Sequence, residues 1–215
     1  DANGDGVADL LVGASWDNYV HHGENGAAYL YHGPISGNLD MQADADLDLE
    51  GSYHDYMGGM LRFVGDVDGD GYEDFVSVVS YYTYVVSGAT TTSGDIWDVS
   101  SAVFTGYYWA SADAGDLNGD SYGDFVLGSP YDDSAASNAG AAVVAYGPVS
   151  GVVPLDDYAD MVIRGEAASD AAGTALDIVS DRDGDGLDEV LIGAPGDDTE
   201  ANNAGAAYLI LGSSL

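Results

Sequence analysis

Oxygen-bearing side chains recur at one spacing in four places along this sequence. Asp1-Ala-Asn3-Gly-Asp5-Gly-Val7-Ala-Asp9 opens it, and Asp66-Val-Asp68-Gly-Asp70-Gly-Tyr72-Glu-Asp74 follows. The third copy is Asp116-Leu-Asn118-Gly-Asp120-Ser-Tyr122-Gly-Asp124, and the fourth is Asp181-Arg-Asp183-Gly-Asp185-Gly-Leu187-Asp-Glu189. Side-chain oxygens at positions 1, 3, 5 and 9, with a backbone carbonyl at 7, make the all-oxygen shell that a hard cation such as Ca²⁺ takes. Glycine at positions 4 and 6 lets the backbone curl through conformations that cost other residues energy. A single copy reads equally well as an Asp-Gly turn; four with one ligand spacing point to calcium.

The elements that must hold these loops are strands. An EF-hand shares the first half of the pattern, but places a bidentate Glu at position 12 and continues as a helix. Position 12 here is Val12, Ser77, Leu127 and Ile192, within the apolar runs Leu10-Leu11-Val12, Phe75 to Val79, Phe125-Val126-Leu127 and Val190-Leu191-Ile192. Continuous apolar runs of this length, bounded by glycine, suit strands buried on both faces. A second strand follows each. A third is exemplified by Met161 to Arg164, and a fourth, such as Met60 to Val64, leads into the next loop. No helical period persists over ten residues, so an all-β chain with about four strands per repeat is expected.

The loops recur after 65, 50 and 65 residues, a repeat architecture. Gly140-Ala141-Ala142-Val143-Val144-Ala145-Tyr146-Gly147 stands 65 residues before Gly205-Ala206-Ala207-Tyr208-Leu209-Ile210-Leu211-Gly212, and Gly26 to Gly33 repeats the segment in the first unit. The second unit is shorter because Val79-Ser80-Tyr81-Tyr82 passes almost directly between strands. The other units spend a polar loop there, Ser15 to Asn25, Ser129 to Asn138 and Ala194 to Asn203. Losing such a loop costs little, since closure entropy varies slowly with length.

This unit resembles the FG-GAP repeat of integrin α-subunit β-propellers and their bacterial relatives, and the likeness covers essentially the whole chain. Gly193-Ala194-Pro195 carries the GAP element; Gly128-Ser129-Pro130 and Gly13-Ala14-Ser15 come near it, and Val78-Val79-Ser80 departs. At the FG element stand Gly58-Gly59, Gly173-Thr174 and, in the third unit, Tyr108-Trp109. The resemblance implies a β-propeller-type array of four-stranded antiparallel blades, with Ca²⁺ in the hairpin between a blade's first two strands. It implies up to four Ca²⁺ ions. Their side-chain ligands would be Asp1, Asn3, Asp5 and Asp9, then Asp66, Asp68, Asp70 and Asp74. Asp116, Asn118, Asp120 and Asp124 would form the third set, and Asp181, Asp183, Asp185 and Glu189 the fourth. Carbonyls would come from Val7, Tyr72, Tyr122 and Leu187. Ser121 replaces a family glycine, at about 1 kcal/mol if φ is positive there, and Glu189 would ligate through its longer arm.

Approximate units 1–65, 66–115, 116–180 and 181–215 would make residues 1–215 a single repeat array. The first loop has no strand ahead of it, and the fourth unit stops at Ser213-Ser214-Leu215. Two expectations stay open: a piece of a longer propeller, or a fibre or oligomer subunit whose open edges neighbouring copies complete.

The formal net charge of −35 comes from 38 acidic residues against three arginines, Arg62, Arg164 and Arg182, with no lysine. Nucleic acid and anionic membranes are excluded as partners, because a protein needs cations to displace phosphate counterions. No apolar stretch approaches the roughly 20 residues of a membrane span. Two charges from each of four Ca²⁺ ions would leave most of the acidity as solvated surface, suited to a secreted protein in salty water. With no cysteine the fold uses no disulfides. Loops of modest affinity fill poorly where free Ca²⁺ is scarce, so a secreted or cell-surface protein is expected. The acidity and the resemblance together point to a bacterial source.

The remaining candidates are weaker. His21-His22, His32 and His54 read as solvated loop histidines rather than a transition-metal site, and Thr91-Thr92-Ser93 as a turn, with O-glycosylation the alternative. Tyr81, Tyr82, Tyr84, Trp97, Tyr107, Tyr108 and Trp109 read first as blade packing and second as a glycan-stacking or subunit-contact surface. No nucleophile motif, P-loop or zinc signature appears, so an enzyme is not expected. The expected function is a calcium-binding structural or adhesive repeat protein with protein or glycan ligands at the cell surface, or self-assembly. A carbohydrate-binding module is the first alternative and a polysaccharide-degrading enzyme the second.

Overall fold

The computed structural model describes residues 1–17, 25–51, 56–79, 81–112, 115–154 and 159–215. Its strands fall into four separate sheets, each built on one acidic loop. The first holds β1 (Leu10–Ala14), β2 (Ala27–Tyr31) and β3 (Leu47–Glu50). The second runs through β4 (Leu61–Gly65), β5 (Asp74–Val79), β6 (Tyr82–Val86) and β8 (Ala102–Thr105). The third joins β9 (Ala110–Ser111), β10 (Phe125–Ser129), β11 (Ala141–Ala145) and β13 (Met161–Arg164). The fourth has β14 (Ala175–Val179), β15 (Glu189–Ala194) and β16 (Ala206–Ile210). Neighbours within these sets pair antiparallel, as blades of a propeller-like array do. The fold is all-β, with the class expected from the sequence. Three loops, 66–74, 116–124 and 181–189, close a hairpin onto the strand that precedes them.

The continuous apolar runs have a direct cause. Successive strand residues point to opposite faces, and each inner blade is covered on both. In β5, Phe75 and Val79 pack toward the first blade while Val76 and Val78 pack toward the third. In β10, Phe125 and Leu127 face the second blade and Val126 the fourth. All six residues of β5 are buried. Three seams of core thus alternate with four sheets.

Two of these seams depend on glycine at one close approach. A Cβ on Gly13 would lie 2.0 Å from the Gly58 carbonyl oxygen, and one on Gly128 would lie 2.0 Å from that of Gly173. The glycines of the GAP element and of the FG element therefore touch across neighbouring blades, where no side chain fits. Val78 and Tyr108 occupy the corresponding pair between the second and third blades, so both departures from the motif fall at one seam.

The structure adds two strands to the expected four per repeat. β7 (Gly94–Asp95), from the second unit, pairs parallel with β3, and β12 (Gly151–Pro154), from the third, pairs parallel with β8. Each covers the outer edge of the preceding blade, which blunts an edge that would otherwise template another chain. Pro154 is accommodated because its strand is the edge one. Thr91-Thr92-Ser93 is irregular backbone leading into β7, the turn falling earlier at residues 88–89, and the Ser93 hydroxyl accepts from the Asp48 N–H at 3.0 Å. The only α-helix among the described residues is α1 (Ile96–Val99), capped by Asp95.

Candidate metal centres

Each acidic loop is curled by its own carboxylates. The position-1 side chain accepts from the N–H of position 6, as in Gly71 to Asp66 at 3.0 Å, Ser121 to Asp116 at 3.0 Å and Gly186 to Asp181 at 3.0 Å. In the first loop Gly6 donates to Asp1 at 2.7 Å. Position 5 accepts from position 7 in all four, at 2.8 Å for Val7 and 2.9 Å for Tyr72, Tyr122 and Leu187. These bonds turn side-chain oxygens inward, as Asp and Asn do when they hydrogen-bond to nearby backbone. Position 6 is left-handed throughout: φ is 83° at Gly6, 92° at Gly71, 93° at Gly186 and 72° at Ser121. The strain foreseen for Ser121 is therefore present.

The carboxylates converge. One oxygen from each of Asp66, Asp68 and Asp70 lies within 4.8 Å of the other two, and Asp181, Asp183 and Glu189 form a second such group. In the first and third loops the position-3 donors are Asn3 and Asn118, whose side-chain oxygens accept from Asp5 and Asp120 N–H at 3.0 and 2.9 Å. An all-oxygen donor set rich in carboxylate suits a hard divalent cation such as Ca²⁺, and lacks the nitrogen and sulfur that softer metals select. Burial first, then the nearby Asp70 charge, raises the Asp68 carboxyl pKa. A bound cation would relieve that crowding of like charge.

Position 9 has a second task. Asp74 is fully buried and accepts from the N–H groups of Val67 at 2.9 Å, Asp68 at 3.1 Å and Gly88 at 3.0 Å. Asp9 accepts from Ala2 and Gly33, each at 2.8 Å, and Asp124 from Leu117 at 2.7 Å and Gly147 at 3.0 Å. Burial outweighs these N–H bonds and pushes Asp74 up to about 7 and Asp124 up to about 6. Glu189 takes the Arg182 N–H on both oxygens. The position-9 carboxylate thus ties each loop to its start and, in the first three units, to the glycine that ends the second strand.

Sequence reasoning missed three parts of this arrangement. Gly33, Gly88 and Gly147 act as N–H donors; for Gly33 and Gly147 the signal was the glycine that closes the repeated Gly-Ala-Ala segment, which Gly88 does not share. Position 2 anchors three loops, with Ala2, Val67 and Leu117 buried in successive seams, whereas Arg182 is exposed. Position 7, whose carbonyl is a candidate ligand, also packs between loops, because its side chain covers the position-4 glycine of the preceding loop. A Cβ on Gly69 would lie 2.9 Å from the Tyr122 ring, one on Gly119 3.1 Å from Leu187, and one on Gly4 3.4 Å from Tyr72. The four loops therefore touch in series.

The other candidates separate. His21, His22 and His54 lie outside the described residues; His32 stands 3.8 Å from Asp46. Tyr82, Tyr84 and Trp97 pack together, with ring centroids 5.6 to 6.2 Å apart, whereas Tyr107 and Trp109 are exposed. No helix among the described residues is long and apolar enough to cross a membrane.

Comparison with known proteins matches the FG-GAP repeat over residues 108–144 and 172–210, which span the third and fourth loops. Integrin alpha pat-2 of Caenorhabditis briggsae is 28% identical over 220 residues, covering 90% of this chain. Integrin alpha-4 of Xenopus laevis is 37% identical over 76 residues, 34% of this chain and 7% of its own. A phosphatidylinositol-glycan-specific phospholipase D of Homo sapiens is 31% identical over 187 residues, 77% of this chain and 22% of its own. The chain spans only 17% of the length of integrin alpha pat-2. With its four acidic loops, its blade-forming sheets and these matches, the chain carries FG-GAP repeats.

Proposed function

We propose that the chain is an extracellular, calcium-binding adhesive or structural array, in which residues 1–215 act as one unit and Ca²⁺ rigidifies each blade hairpin. The observation that carries this reading is the convergence of Asp66, Asp68 and Asp70, and of Asp181, Asp183 and Glu189, within 4.8 Å. The proposed ligands are positions 1, 3, 5 and 9 of each loop through side chains and position 7 through its carbonyl, giving up to four ions. Loops of this kind on extracellular modules bind at about 0.1–1 mM, so the array would fill outside the cell and stay largely empty in cytosol. A secreted or cell-surface location follows. The integrin relatives favour a protein or glycan ligand at that surface. A binding role is favoured over catalysis, since the integrin likeness runs over 90% of this chain and the phospholipase D likeness over 77%.

Calorimetric titration of the EDTA-stripped chain tests the proposal. Binding of Ca²⁺ at more than one site, weakened by Asp66→Ala and by Asp181→Ala separately, is the expected result. No heat with Ca²⁺ up to several times the expected Kd would refute it.

A further inference from the structure

At the ends of the strands away from the metal loops, the second and third blades diverge around an open cleft of about 700 Å³. The corresponding space between the third and fourth blades is about 140 Å³. The difference has a local cause in three substitutions of pattern. The loops after β1, β10 and β15 share one frame: Asp17, Asp132 and Asp197 each donate an N–H to the strand's last carbonyl and accept from Gly26, Gly140 and Gly205. In the first and last, a tyrosine three residues past that glycine fills the space and bonds the aspartate, Tyr29 to Asp17 at 2.8 Å and Tyr208 to Asp197 at 2.9 Å. In the third unit the equivalent residue is Val143. The cleft opens there, and Asp132 accepts from the Ser134 N–H and hydroxyl, as Asp197 does from Thr199, with no tyrosine hydroxyl at position 143 to add to them. The same seam lacks the glycine-to-glycine approach, and the loop after β5 is cut to residues 80 and 81, with Tyr81 on the cleft wall.

The cleft is lined with rings that the core does not use. Trp109 is 59%, Tyr107 66% and Tyr131 61% exposed. Trp109 meets Tyr131 edge-on at 5.6 Å, and Tyr81 meets Tyr107 edge-on at 5.0 Å, so each pair supports itself with ring surface presented. The Trp109 main-chain N–H donates to the Gly128 carbonyl at 2.8 Å, which ties its backbone to β10. Around the rings stand Asp132, Asp133 and Arg164, whose Nε donates to the Ser134 hydroxyl at 2.9 Å.

We propose that this cleft binds a neutral oligosaccharide. Sugar C–H faces stack on rigid aromatic rings, and hydroxyls both donate and accept, which matches carboxylates and a guanidinium set side by side. An anionic ligand would meet Asp132, Asp133 and the net charge of −35. A cationic peptide would meet Arg164, one of only three cations in the chain. The volume lies within the roughly 300–1,000 Å³ of ligand sites. No metal-loop residue takes part, so the site stands or falls independently of calcium affinity.

The test is binding of the Ca²⁺-saturated chain to a panel of short neutral oligosaccharides, read by tryptophan fluorescence and by calorimetry. Trp109→Ala and Tyr131→Ala, both at exposed positions, are expected to weaken binding about tenfold or more. Val143→Tyr rebuilds the bond to Asp132 seen in the first and last blades and closes the cleft, so it is expected to abolish binding with the melting temperature held. Trp16→Ala, exposed elsewhere, leaves binding unchanged. If no neutral oligosaccharide binds, if a basic peptide binds in its place, or if Trp109→Ala and Tyr131→Ala bind as the parent does, the assignment is overturned.

Discussion

The sixth position of the acidic loop offers a clean measurement of backbone strain. Gly6, Gly71 and Gly186 adopt φ of 83°, 92° and 93°, and a Cβ added to any of them would meet nothing within 4 Å. Replacing Gly71 with Ser therefore changes backbone preference without a clash. Ser121 already carries that penalty at φ 72°. A non-glycine residue in the left-handed region costs about 1–2 kcal/mol, offset by roughly 0.5–1 kcal/mol because glycine gives up more freedom on folding. Ser121→Gly should stabilise the chain by about 0.5–1 kcal/mol, and Gly71→Ser should destabilise it by a similar amount. In a chain of this size that is a shift of about 1–4 °C in melting temperature, in opposite directions. Equilibrium urea denaturation with saturating Ca²⁺ and again in EDTA is the assay. The backbone cost does not involve the ion, so the difference should persist in EDTA. Gly71→Ser matching the parent, or Ser121→Gly falling below it, would refute the strain argument.

Three further outcomes follow from the packing. Gly128→Ala places a methyl 2.0 Å from the Gly173 carbonyl oxygen, so it should cost about 3 kcal/mol or more in urea titration; a neutral result would deny that the seam is closed there. The bond from Tyr208 to Asp197, aided by burial, pushes the Tyr208 hydroxyl from 10.0 up to about 12. A raised pKa means that this contribution is complete below pH 10 and is lost as pH rises through 12; Tyr29, Tyr31 and Tyr146 are raised as well, so ultraviolet titration of Tyr208→Phe should show one late-ionising tyrosine fewer than the parent. Tyr29→Phe should cost about 1.5–3 kcal/mol, the worth of a hydrogen bond to a charged acceptor, with calorimetric melting as the check.

Much of the architecture could be read from residue pattern, for a physical reason. Blades buried on both faces need near-continuous apolar strands, and Phe75 to Val79, interrupted by Ser77, and Phe125 to Leu127 show them. The residue at position 12 separated these loops from EF-hands because the chain leaves them as a strand. The edge strands were not legible: Gly94-Asp95 has no strand-forming residue, and Val152-Val153 is a pair hemmed in by Gly151 and Pro154; both segments pair along the open edge of a neighbouring sheet. The second duty of Asp74 was hidden because a buried carboxylate that gathers three N–H groups has the same sequence signature as a ligand. The exchange of Tyr208 for Val143 was visible in the aligned segments, yet only the position of Asp132 and Asp197 gave it meaning.

Calorimetric melting of the same preparation in millimolar Ca²⁺ and in EDTA tests the central claim most directly. With each site contributing roughly 0.4–1.4 kcal/mol at millimolar Ca²⁺, four filled loops predict a melting temperature lower by roughly 5–15 °C in EDTA, restored when Ca²⁺ is returned. Superimposable melts in the two buffers would contradict it.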